Sequence, residues 1–516
     1  MANDAQAEVI AFLSRQMEVA DRAAPQIVRT HGAVLLLGRR DAWKIKRAVR
    51  YAYLDFSTAT KRHDMLLREL ELNRPAAPSI YRDLVAVTRD AGGQLHMGGT
   101  GAPAEWVLRM RRFDTADELV QIAARGALDA DIAADLGKVI AQYHAAAPVR
   151  SQVQGADLIG ALLDQLNTAF ADMTDVFGTD AVDHYRSAAD HAWRGVRAQL
   201  NARGAAGHVR RCHGDLHLGN IVMQDGVPTL FDALEFDETL GTSDVLYDLA
   251  FLLMDLAHNG QMAAANAVLN AYLFHAGDAD HYAALSLLPL FQSLRAAIRA
   301  MVAVQAERAG GNGGVQAARD YLARAQGYLS PPPARLIAVG GRSGTGKSVL
   351  AAAIAPHIGA APGAVHLRSD LERKALFGAA PLAPLPASAY TEDVSARVYD
   401  TMLGKARMAL LAGHGAIVDA TWLDKDARAA LDSPAPSAPF TGLWLAADTA
   451  TLEARVTARQ GDASDADAAV LRRQTDRQGA PKNWLRIDAT GSRADTFAQA
   501  LCALGVPRRA PLDDKG

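Results

Sequence analysis

Apolar positions change rhythm along this chain. Up to about residue 113 they come in short runs with strand spacing. VLLLG (34–38) and AWKIKR (42–47) read as paired strands around a turn at Arg39, Arg40 and Asp41. HDMLLRELELNR (63–74) has helical spacing, and EWVLRMRRF (105–113) reads as a further strand. From about 115 the pattern is helical, through ADELVQIAARG, DIAADLGKVIAQYHAAA and GADLIGALLDQLNTAFADM. Short strands at NIVM and PTLFDA, near 220–233, interrupt it before helices resume to 330. A small sheet lobe followed by a large helical lobe is expected.

The pattern breaks at Ser330, Pro331, Pro332 and Pro333. Consecutive prolines cannot continue a helix and favour an extended spacer. Beyond them LIAVGG, AVHLRSD, GAIVDAT, GLWLAA and WLRIDAT alternate with helical stretches. Strand–helix alternation predicts a parallel sheet covered on both faces. The expected organisation is a first domain over 1–330, a proline linker at 331–333 and a second domain over 334–516.

Composition narrows the class without changing this picture. The 516 residues are 50% apolar and 22% charged, an ordinary globular balance. Two cysteines exclude a disulfide scaffold and fit a reducing, cytoplasmic setting. The first residues lack the cationic start and apolar core of a secretory signal, and no long uncharged apolar run predicts a membrane span. A net charge of −3 gives no reason to expect a nucleic-acid or membrane-surface partner. Only ten of the 54 basic residues are lysine, so each lysine near a motif carries weight.

The second domain opens on Gly341-Arg-Ser343-Gly344-Thr345-Gly346-Lys347-Ser348, which matches G-x-x-x-x-G-K-[ST] between a strand and the helix VLAAAIAPHI. Glycines let backbone N–H groups close around phosphate oxygens, and the helix N-terminus adds positive potential. Lys347 is expected on the β/γ-phosphates of ATP and Ser348 on Mg²⁺. Asp419 ends the strand GAIVDAT as a second Mg²⁺ group. Ala420 follows it where mechanical ATPases place a glutamate, and no guanine signature is present, so small-molecule phosphoryl transfer is favoured. Asp370 ends the strand AVHLRSD, where open α/β sheets bind ligands. It is positioned to accept a hydroxyl proton, with Arg373 to hold an anionic group. The plainer alternative is a helix N-cap and a solvated arginine. This segment resembles the Asp-x-x-Arg acceptor motif of polynucleotide kinase-like and zeta-toxin-like P-loop kinases. In those kinases a lid helix supplies arginines, which here implies Arg455 and Arg459; a solvated basic stripe is the alternative.

In the first domain, VRRCHGDLHLGNIV (209–222) places Asn220 five residues after Asp215. That is the spacing of the kinase catalytic loop H-R-D-x-x-x-x-N, in which Asp meets the substrate hydroxyl and Asn holds Mg²⁺. Asp232 follows a short apolar strand, and one hairpin can bring it and Asn220 to a single cation. These residues, with Asp244-Val-Leu-Tyr-Asp248-Leu-Ala, resemble the aminoglycoside phosphotransferase and choline kinase superfamily over most of residues 30–300. The resemblance implies a protein kinase-like, two-lobed domain, Asp215 as catalytic base, Asn220 and Asp232 as metal ligands, and Asp248 as a brace for the loop. Such a small lobe needs a strand lysine for the phosphates and a helix glutamate to orient it. Lys44 is the first choice and Lys46 the second, on one strand face, with Glu69 as partner. Glu235 is open between metal ligand and turn partner, and His217 reads as a packed or loop-bonding histidine. The stretch before the lysines lacks a G-x-G-x-x-G loop, which matches aminoglycoside kinases better than protein kinases.

The order of parts resembles bacterial fusion proteins in which an aminoglycoside phosphotransferase-like domain precedes an AAA-like, gluconate kinase-like or zeta-toxin-like P-loop domain. The fold class is therefore α+β and α/β: a kinase-like two-lobed domain, then a P-loop domain with a parallel sheet. The expected function is an ATP-dependent phosphotransferase with two ATP–Mg²⁺ sites acting on small-molecule hydroxyls. The alternative is a regulatory ATP-binding or ATPase protein in which one module senses nucleotide. Retention of both Asp215 and Asp370 favours catalysis at both sites.

Overall fold

A six-stranded antiparallel sheet organises the first part of the chain. Its spatial order is Gln26–Arg29, Ala33–Leu37, Asp41–Lys46, Ala102–Arg111, Tyr81–Arg89 and Leu95–Met97. The computed structural model describes residues 2–51, 54–311, 314–432, 438–458, 463–466, 468–475 and 480–507. Side chains alternate across a strand, so Ile45 faces one way and Ala42, Lys44 and Lys46 the other. On the first face Val34, Leu36, Ile45, Val87 and Val107 pack against Val9, Leu13 and Met17 of the helix Ala2–Asp21. On the second, Ala42, Leu108 and Met110 pack against Leu66 and Leu70 of the helix Ala59–Asn73. The two lysines thus share a face with the helix that carries Glu69. The expected strands and helix are present, and the helix Ala2–Asp21 and the strands Gln26–Arg29, Tyr81–Arg89 and Leu95–Met97 are additions to them.

The chain groups into two compact units. The first comprises Met1–Leu128, Tyr143–Gln152 and Ala206–Asp248. Besides the sheet it holds two small ribbons. The hairpin Ile221–Gln224 with Val227–Leu230 pairs Ile221 opposite Leu230, and Val209–Arg211 pairs with Thr242–Asp244. They flank the segment 212–220.

The second unit comprises Asp129–Gln142, Val153–Ala205 and Leu249–Gly516. Its helical part includes Gly155–Ala171, Thr179–Ala205, Met262–Ala276, Leu288–Arg308 and Val315–Tyr328. The stretch Asp280–Arg308 is apolar and long enough to cross a membrane, but two-thirds of its apolar window is buried inside the fold. Beyond the prolines lies the expected parallel sheet, ordered Val365–Arg368, Ala416–Asp419, Leu336–Gly341, Phe440–Ala446 and Leu485–Asp488. The strand leading into the phosphate loop is central, with Ile337 and Val339 in the buried core.

Two glycines make room for the Trp484 ring against this sheet. A Cβ at Gly442 would stand 2.3 Å from the Trp484 ring, and one at Gly340 would stand 2.6 Å from it. Gly442→Ala should therefore overpack the sheet and cost about 1–3 kcal/mol of stability. Thermal unfolding followed by tryptophan fluorescence would check this through a lowered transition temperature.

Candidate active sites

The first candidate site grows from the two lysines of Asp41–Lys46. Lys44 Nζ lies 2.6 Å from Glu69 Oε1 and 3.1 Å from Asp232 Oδ1. Lys46 Nζ lies 2.7 Å from Glu69 Oε2 and 2.5 Å from Glu235 Oε1. Glu69 is fully buried, so its charge persists only because both ammonium groups meet it. Burial pushes its carboxyl up, and the lysines outweigh that and hold it below the usual range. Burial also works against the Lys44 charge, but Asp232, Glu69 and Glu235 hold its pKa well above the ordinary lysine value. Of the two lysines, Lys44 reaches both the helix glutamate and Asp232. Glu235 acts here as the partner of Lys46. Glu71 lies on the surface, 3.5 Å from Arg68.

Asp232 is held by its backbone. Its φ is +59°, a left-handed conformation uncommon for a residue with a side chain. Around it, the Asp232 N–H donates to Tyr81 Oη at 3.1 Å and the Ala233 N–H to Asn73 Oδ1 at 2.7 Å. The Phe231 N–H donates to the Asn220 carbonyl at 3.0 Å, so the open end of the hairpin brings Asn220 next to the Asp232 segment. Asn220 Nδ2 in turn donates to Asp215 Oδ2 at 3.0 Å. His217 Nδ1 accepts the Gly219 N–H at 3.1 Å, which leaves the ring proton on Nε2, 3.5 Å from Asp215 Oδ2. His217 is thus loop-bonding, as read from the sequence. The structure brings Lys44, Glu69, Asp232, Asn220 and Asp215 into one chain of contacts.

Asp248 braces this loop from the interior. Its carboxylate accepts the His213 and Gly214 N–H groups at 3.2 and 2.8 Å and lies 3.1 Å from His144 Nε2. His213 donates Nε2–H to the Phe231 carbonyl at 3.0 Å, and burial lowers its pKa, so it stays neutral.

The second candidate site lies on the parallel sheet. The phosphate loop joins the strand Leu336–Gly341 to the helix Lys347–Ile354. Gly344 and Gly346 both have φ of +85°. A Cβ at Gly344 would stand 2.9 Å from the Leu452 carbonyl, whereas the space around Gly346 is open. These left-handed turns carry the loop backbone around a cavity of about 690 Å³. Ser343, Gly344, Thr345, Gly346, Lys347, Ser348, Asp370 and Arg455 line it, and the residues and volume fit a nucleotide. Gly341 ends the strand with φ +143°. Lys347 Nζ donates to the Arg342 carbonyl at 3.1 Å, and Thr345 Oγ1 to the same oxygen at 2.8 Å.

Asp370 lies within the helix Ser369–Leu376, whose N-cap is Arg368, so it is not the cap. Burial raises its pKa, and the charge of Asp419 adds to the rise. Asp419 is buried at the end of its strand, 3.4 Å from His366 Nε2. Burial pushes its carboxyl up, but the His366 contact, Lys347 and Arg368 keep it below the usual range.

Two arginines stand differently from expectation. Arg373 is neither solvated nor among the cavity-lining residues. It is buried, donates to the Ala389 carbonyl at 2.7 Å and to Ser395 Oγ at 3.3 Å, and stacks over Tyr390 at 5.0 Å. Arg455 lines the cavity while donating to the Ala489 carbonyl at 2.7 Å. Arg459 lies outside the described residues. Sequence reasoning missed Arg493, Phe497, Gln474 and the Lys374–Asp465 pair. Asp465 accepts Lys374 Nζ at 2.6 and 2.8 Å, the Leu385 N–H at 3.2 Å and the Tyr390 hydroxyl.

The phosphotransferase enzyme family matches residues 11–288, and the AAA domain family matches residues 336–481. An uncharacterized protein of Mycobacterium tuberculosis is 29% identical over 501 residues, covering 93% of this chain and 96% of that protein. A Mycobacterium bovis protein gives the same figures. A choline/ethanolamine kinase family protein from Mesorhizobium loti has a TM-score of 0.37 and 15% identity, covering 63% of this chain and 94% of its own. Aminoglycoside 2'-phosphotransferase-IIIa in its GDP complex has a TM-score of 0.38 and 11% identity, covering 62% and 98%. A gluconokinase from Sinorhizobium meliloti has a TM-score of 0.25 and 21% identity, covering 34% and 92%.

Two predictions follow from this geometry. Asp248→Ala leaves two buried N–H groups unmet and should destabilise the chain by about 3 kcal/mol or more, read as a fall in unfolding midpoint. A base at Asp370 must be ionised, so its activity should be lost as pH falls through its raised pKa. The acid limb of the Lys347-dependent activity should therefore lie above the usual aspartate range, and a pH–rate profile checks this.

Proposed function

Because this chain belongs to the phosphotransferase enzyme family and joins it to a P-loop kinase-like domain, we propose that it is a cytoplasmic kinase with two ATP–Mg²⁺ sites, each phosphorylating a small-molecule hydroxyl. The observation that carries the reading is Lys44, whose Nζ stands 2.6 Å from Glu69 and 3.1 Å from Asp232. A phosphate-holding lysine, its orienting glutamate and a metal-binding aspartate are what phosphoryl transfer on this fold requires. When bound, ATP supplies the transferable phosphoryl group and Mg²⁺ supplies charge to offset it.

In the first site Lys44 would hold phosphate oxygens, and Asn220 and Asp232 the metal ion. Asp215 takes the proton of the acceptor hydroxyl. Its carboxylate is about half exposed, so a small alcohol can reach it, while Asn220 Nδ2–H fixes one oxygen. In the second, the backbone of 343–348 with Lys347 would hold phosphates, and Ser348 and Asp419 the metal ion. Asp370 takes the acceptor proton, and its raised pKa makes it a stronger base than an exposed aspartate. Arg455 faces the same cavity and adds positive charge there.

A mass-detected phosphorylation screen over hydroxyl metabolites tests the reading. Asp215→Asn should lower transfer at the first site by about 10²–10⁴-fold while leaving ATP binding intact. Lys347→Ala should remove transfer at the second site alone. ATP binding with no acceptor-stimulated turnover in the wild type would instead leave a nucleotide sensor.

A further inference from the structure

Gln474, on the helix Ala468–Thr475, touches the phosphate loop with both ends of its carboxamide. The Ser343 N–H donates to Gln474 Oε1 at 2.8 Å, and Gln474 Nε2 donates to Ser343 Oγ at 3.1 Å. An N–H can only donate, so Oε1 must face it and the amide orientation is settled. The Ser343 oxygen is therefore an acceptor toward Gln474, and its own proton must point elsewhere. Among the described residues no group accepts that proton. Ser343 is buried against the loop, lines the cavity of about 690 Å³, and has Gly344 beside it pinned under the Leu452 carbonyl. Leu471 of the Gln474 helix packs with Leu452 and Val456 of Thr449–Thr457, so both helices grip this corner of the loop.

We infer that Gln474 is a positioning residue that turns the Ser343 hydroxyl into a hydrogen-bond donor aimed at the nucleotide phosphates, while its Oε1 uses up the Ser343 N–H. Ser343 would then bind phosphate through its side chain, and the loop's remaining N–H groups through the backbone. The inference rests on the ATP-binding reading of this loop. It predicts a difference between amide and carboxylate at position 474. A glutamate still accepts the Ser343 N–H and so still holds the loop, but it has no donor and draws the hydroxyl proton to itself.

The test is calorimetric titration of the full chain with Mg-ATP, following the site that Lys347→Ala removes. Ser343→Ala and Gln474→Glu should each weaken that site about tenfold or more, as expected for a hydrogen bond to a charged group. Gln474→Ala should weaken it less, and Gln474→Glu should cost less in the Ser343→Ala background than in the wild type, because no hydroxyl is then left to redirect while the Ser343 N–H contact and the added charge are common to both backgrounds. A role confined to holding the loop would make the Gln474→Glu and Ser343→Ala losses add across the double variant, and that result would overturn the inference. If Lys347→Ala changes no Mg-ATP affinity, the nucleotide reading of the loop fails instead.

Discussion

Glu69 is a carboxylate with no solvent contact that meets two ammonium groups, Lys44 at 2.6 Å and Lys46 at 2.7 Å. A buried charge is tolerable only when an opposite charge lies against it, so Glu69 depends on the two lysines that meet it. That constraint ties the strand Asp41–Lys46 to the helix Ala59–Asn73. It also passes outward, because Lys44 reaches Asp232 and Lys46 reaches Glu235. Two cations and three acids thus hold one another in place. Phosphate oxygens and a metal ion would enter a framework whose charges are already arranged.

The same rule shapes the rest of both sites. Asp248 is buried, and the N–H groups of His213 and Gly214 and the His144 ring meet it. Asp419 is buried against His366. Lys374, also buried, is met by Asp465 across 91 residues of sequence. In each case a charge withdrawn from water fixes a segment that carries proposed chemistry. The phosphate loop differs. Its geometry comes from glycine φ values and from contacts by the Leu452 carbonyl and Gln474.

Local signals carried much of this. The phosphate loop, the Asp215–Asn220 spacing and the lysine pair each occupy a few consecutive residues, so their placement on strand, turn or helix follows from short-range pattern. Glu69 could be chosen over Glu71 because helical geometry separates their faces. Pairings over long separations left no such mark. Nothing near Lys374 or Asp465 signals that they meet, and Gln474 reads as one more polar residue of a helix 131 positions from Ser343. Arg373 has the spacing of an acceptor-binding residue, yet its guanidinium is occupied by Ala389 and Ser395, which a motif cannot reveal. The helix Ala2–Asp21 was likewise legible only through what it covers, the apolar face of Val34, Leu36 and Ile45.

The proposed function requires one chain to hold two nucleotide sites of different architecture. Counting Mg-ATP bound per chain at equilibrium tests this most directly. The account predicts two bound nucleotides in the wild type, with one lost in Lys44→Ala and the other in Lys347→Ala. A single bound nucleotide in the wild type, or one that both variants abolish together, would contradict it.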